Sequence, residues 1–114
     1  MLYLLWIISS LAHASNREPC ETWLKSSGSA RGVVVVTHGL NLKPSRMDEL
    51  ARVLAGDGFE VYRPAFTGQC GDNKQFLSVK AGDWRSDARR IHAAASARAK
   101  ELGKPLLLVA YSFS

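Results

Sequence analysis

The chain has 114 residues, 15 Lys and Arg against 10 Asp and Glu, and a formal net charge of +5. That length holds one small domain. The cations are scattered: Arg85, Arg89, Arg90, Arg98 and Lys100 decorate one predicted helix, and no basic run carries interleaved aromatics, so nucleic acid is not expected as a partner. A solvated helix face accounts for them better than attraction to anionic lipid.

In chain order, residues 1–14 are separate in kind. An uncharged apolar stretch from Met1 to Leu11 ends in Ala12-His13-Ala14, a small-x-small site, before polar Ser15-Asn16-Arg17-Glu18. This pattern predicts a secretory signal peptide cleaved after Ala14, and hence a secreted or periplasmic protein. The stretch is shorter than the ~20 apolar residues of a membrane span, so no stable span is expected. No Lys or Arg precedes it, which leaves an uncleaved anchor or an over-extended reading frame as the rival readings. Glu18-Pro19-Cys20 lacks the small, apolar surroundings of a lipoprotein cleavage site. Residues 15–30 form a polar, Ser-rich segment in which Glu21-Thr22-Trp23-Leu24 has the composition of a short edge strand.

Val33-Val34-Val35-Val36-Thr37, bounded by glycines, predicts a strand buried on both faces, as in a parallel sheet. Pro44 and Ser45 open a predicted helix, with Ser45-Arg46-Met47-Asp48 as a capping box. Met47, Leu50, Ala51 and Leu54 recur at helical spacing before Gly56-Asp57-Gly58. Residues 59–62 form the next strand, stopped by Pro64. A long loop over 65–82 follows, whose length suggests function or mobility. Asp83 is the expected N-cap of a second helix, with Trp84, Ala88, Ile91, Ala95 and Leu102 on its buried face. Gly103-Lys104-Pro105 closes it, and Leu106 to Ala110 is the last strand. This alternation implies parallel strands with right-handed crossovers. Dinucleotide and phosphate-loop glycine patterns are absent, so no nucleotide cofactor is expected.

Two motifs carry chemistry. The last strand runs into Ala110-Tyr111-Ser112-Phe113-Ser114, a serine flanked at ±2 by small residues. Small flanks suit the tight turn of a nucleophile elbow, usually Gly-x-Ser-x-Gly. Upstream, the Val-rich strand runs into His38-Gly39-Leu40-Asn41. Together these motifs resemble the α/β-hydrolase superfamily, closest to its serine esterase, lysophospholipase and monoacylglycerol-lipase-like members. The resemblance covers residues 31–114. It implies a three-layer α/β/α fold with a parallel central sheet, incomplete here because the chain stops at the elbow. Ser112 would be the nucleophile, the backbone N–H groups of Leu40 and Phe113 the oxyanion hole, and His38 and Gly39 the support of the oxyanion turn. By family topology the strand at 33–37 lies between the other two. Both motifs would then emerge at one sheet edge, where open parallel sheets bind ligands.

The implied activity is hydrolysis of a carboxylic or lipid-like ester through an acyl-enzyme, without a cofactor. The triad acid and histidine follow the serine in this fold, and nothing follows Ser114. The expectation is therefore a truncated chain, inactive as it stands. The alternative is a non-catalytic binding protein of the same fold, left open by the missing elbow glycines. His38 reads as a prop for the turn in preference to a substitute base, and His92 as solvent-facing. Phe66 and Phe76 are read as packing, or as the lining of an acyl pocket. Cys20 and Cys70 make an even count, which in an exported chain permits a disulfide; two free thiols is the other reading. Dispersed histidines and the lack of a CxxC pair argue against a metal site.

Overall fold

A computed structural model of the chain describes residues 20–39, 43–70 and 77–111. Its four strands are β1 (Thr22–Leu24), β2 (Val33–Thr37), β3 (Glu60–Arg63) and β4 (Leu106–Ala110). A 3-10 turn (Pro44–Met47) leads into α1 (Asp48–Gly56), and α2 (Ala81–Leu102) precedes β4. The strands form one sheet in the order β1-β3-β2-β4. β2 pairs in parallel with both β3 and β4, so the Val-rich strand is central, as the resemblance implied. β1 pairs antiparallel with β3, so the sheet is mixed and not wholly parallel.

Side chains alternate across a strand, and β2 has apolar residues at both parities because it is covered on both faces. Val33 and Val35 pack with Tyr62 against Ile91, Ala95 and Ala99 of α2. Val34 and Val36 pack with Val61 against Met47, Ala51 and Ala55. Alanines along α2 let the helix approach the sheet closely. At the rear of β2, Gly32 lies where an added Cβ would sit 3.0 Å from the Pro105 carbonyl oxygen.

Element ends differ from the sequence expectations. The capping box at Ser45 does not form: Ser45 lies in the 3-10 turn, and α1 starts at Asp48 without a side-chain cap. The turn begins with Pro44 after extended Lys43, a conformation that proline favours in its predecessor. α2 starts at Ala81, and Asp83 caps it from the first turn, its Oδ2 accepting the Lys80 N–H at 2.9 Å. The buried face of α2 is Asp87, Ile91, Ala95 and Ala99, while Ala88 is exposed. β3 is displaced by one residue and includes Glu60 and Arg63, both buried. Each is paired: Glu60 accepts from Arg98 Nε at 2.9 and 3.0 Å, and Arg63 Nε meets Asp48 at 2.6 Å.

β4 forms the second edge of the sheet. Leu107 and Leu108 are 44% and 68% exposed. A hollow of about 250 Å³ lies between β4 and α2, walled by Val35, Phe66, Ile91 and Leu106 to Leu108. Among the described residues, no helix is long and apolar enough to cross a membrane.

Candidate active site

The register of β2 against β4 pairs Val33 with Leu106 and ends with Thr37 opposite Ala110. Pairing continues one step further, as the Tyr111 N–H donates to the Thr37 carbonyl at 3.3 Å. The segment leaving β2, His38-Gly39, is therefore beside the segment leaving β4. Ser112 and Phe113 follow Tyr111 in sequence, and Leu40 follows Gly39; all three lie outside the described residues, as do Ser114, Asn41, Phe76 and residues 1–14.

His38 is 1% exposed. Its Nδ1 lies 3.0 Å from the Gly39 carbonyl oxygen, which can only accept. Its Nε2 accepts the Phe66 N–H at 3.5 Å. These contacts assign the proton to Nδ1 and leave the ring neutral, with no free nitrogen. Burial, and secondarily the Arg63 charge, lower its pKa from the usual 6.5, against the raising effect of the Gly39 hydrogen bond. The Phe66 ring packs edge-on at 5.8 Å between centroids. Both ring nitrogens thus meet backbone groups. His92 is exposed and shares a hydrogen bond with Ser96 at 3.3 Å.

Phe66 belongs to a loop whose anchorage the sequence did not reveal. Three successive amides are held by side chains from three different parts of the chain. Ala65 N–H donates to Glu21 Oε2 at 3.2 Å, Phe66 N–H to His38, and Thr67 N–H to Asp87 Oδ2 at 2.6 Å. Glu21 also accepts from the Tyr62 hydroxyl at 3.2 Å and from Arg90 Nη1 at 2.9 and 3.0 Å. Burial first, and then the Glu21 carboxylate, push the Tyr62 phenol up. Cys20 and Cys70 are joined by a disulfide with their Cα atoms 5.5 Å apart, a separation usual for such a bond. Glu21 and Asp87 are legible in sequence only as two of ten acids. Among the described residues, no cluster of His, Cys, Asp or Glu could hold a metal ion.

The sequence profile of the serine aminopeptidase S33 family matches residues 28–113. The chain belongs to that family of α/β-hydrolases. A solved structure described as a metagenome-derived lipolytic enzyme is similar to this α/β-hydrolase, with 30% identity and a TM-score of 0.63 over 84% of this chain. The chain spans 37% of that structure's length. No curated protein sequence matches.

Proposed function

We propose that this α/β-hydrolase chain is the N-terminal part of a serine hydrolase that cleaves carboxylic or lipid-like esters through an acyl-enzyme. Ser112 is the nucleophile in this reading, and the N–H groups of Leu40 and Phe113 receive the oxyanion. The observation that carries it is the β2–β4 register, which brings the ends of the two motif-bearing strands together at one edge. Neither motif does chemistry alone; side by side they supply an attacking hydroxyl and donors for the charge that develops.

The His38 contact adds a specific role. A trans peptide is planar, with its N–H directed opposite to its carbonyl. In this reading the His38 ring, by holding the Gly39 carbonyl, supports the turn that leads to the Leu40 N–H. A donor fixed before reaction needs no reorganisation as charge builds, and one such donor is worth about 3 kcal/mol in comparable enzymes. The preference for an ester over a peptide rests on the lipolytic neighbour; the family description, serine aminopeptidase, keeps amides as the competing substrate class.

The test is fluorophosphonate labelling of a protein that carries these residues together with the acid and histidine that follow the serine in this fold. Labelling on Ser112, lost in Ser112→Ala, is the expected result. A folded protein that resists the probe favours the non-catalytic reading, for which Ala110 and Ser114 in place of the elbow glycines speak. The 114-residue polypeptide by itself should not turn over an aryl ester; turnover that Ser112→Ala abolishes would refute that expectation.

A further inference from the structure

We propose that the Cys20–Cys70 disulfide is a positioning element for the oxyanion turn, acting through Phe66 and His38. This rests on the proposed role of that turn in catalysis. Cys70 closes the 65–70 loop, within which the Gln69 N–H donates back to the Phe66 carbonyl at 3.0 Å. At its other end the disulfide is seated on the body of the fold. The Cys20 carbonyl accepts from Arg63 Nη1 at 2.6 Å, and Arg63 is buried and paired with Asp48 at the start of α1. The disulfide thus ties the loop to β3 and α1 at one point, while Glu21 and Asp87 hold the amides on either side of Phe66. The Phe66 amide between them meets His38 Nε2. That contact keeps Nε2 an acceptor and Nδ1 the donor to Gly39.

Loss of the disulfide should release this chain of contacts without releasing the sheet. Reduction by dithiothreitol delivers two electrons and two protons. One reagent thiolate attacks a disulfide sulfur, the second closes the reagent into a cyclic disulfide, and Cys20 and Cys70 leave as thiols. The measurement is ¹⁵N NMR of the His38 ring, with amide hydrogen exchange, on the full chain before and after reduction and in the Cys20→Ser/Cys70→Ser variant. With the disulfide intact, His38 should show a single Nδ1–H tautomer and the Phe66 amide should be protected. Reduction should mix the tautomers and speed Phe66 exchange roughly tenfold or more, while Val35 in the central strand stays protected.

Unchanged His38 and Phe66 signals would overturn the proposal. So would tautomer mixing that appears only once Val35 has lost its protection altogether, which would make the disulfide a general cross-link. Glu21→Gln with the disulfide intact gives a second arm: the His38 tautomer should persist, and its loss there would assign the positioning to Glu21 instead. None of these readouts involves catalysis. Failure of the fluorophosphonate test with this pattern intact would therefore sink the hydrolase reading alone.

Discussion

Replacing His38 by Ala should destabilise the chain by about 2–3 kcal/mol. The ring contributes a hydrogen bond to the Gly39 carbonyl and a longer one from the Phe66 amide, each worth about 1 kcal/mol net. It also loses an edge-on contact with Phe66, typically about 0.5–1.5 kcal/mol. The 3.5 Å length of the Phe66 bond keeps the total from going higher. Urea unfolding followed by tryptophan fluorescence reads this as a lower midpoint at unchanged slope. The pH dependence gives an independent check. The folded ring resists protonation more than the unfolded ring, whose ordinary pKa is 6.5. The unfolded state therefore binds more protons below that value, and stability rises with pH through the window. His38 contributes fully above pH 6.5, and its contribution falls as pH drops below 6.5 and through the lowered folded pKa. The Ala variant should lack that part of the slope. A loss under about 1 kcal/mol, or an identical pH slope in the variant, would refute this supporting role of the ring.

Gly58→Ala should cost about 1–2 kcal/mol in the same assay. Gly58 has φ +102°, and the added Cβ would also lie 2.9 Å from Arg31 Cδ, a flexible side chain able to yield. Ile91→Ala should cost about 3 kcal/mol by opening a void between α2 and the valines of β2. Opening the disulfide, which spans 50 residues, should remove about 4 kcal/mol through the entropy of the unfolded chain; intact mass under non-reducing conditions should show two hydrogens fewer than the dithiol. Protein recovered outside the cytoplasm should begin at Ser15 on N-terminal sequencing, and a retained Met1 would count against cleavage.

Much of the frame was legible because β2 is apolar at every position but the last, so its bounds follow from composition alone. The short edge strand and the parallel β2, β3 and β4 were equally readable. The errors fall where polar residues play structural roles. Arg63 falls just past the expected strand, yet it is buried as the last residue of β3 because Asp48 at the start of α1 reaches it. Ser45 and Asp83 have the chemistry of caps, but Pro44 imposes a 3-10 turn at the first and the second caps from inside its helix. The candidate site was half legible. The two motifs, and the pairing of the strands that lead to them, follow from order and topology, and His38 is held at both nitrogens by backbone groups. The Glu21 and Asp87 anchors were hidden, because no spacing rule links a carboxylate to a loop amide 44 or 20 residues away.

The two sides of the sheet have opposite fates during synthesis. β1 is three residues long, runs antiparallel to its neighbour and is made first. β4 is the other edge among the described residues, five residues long and carrying two exposed leucines. A ribosome therefore delivers the short antiparallel edge first and the longer, leucine-bearing edge last. The longer apolar edge is the greater invitation to wrong pairing, and that hazard begins when β4 appears.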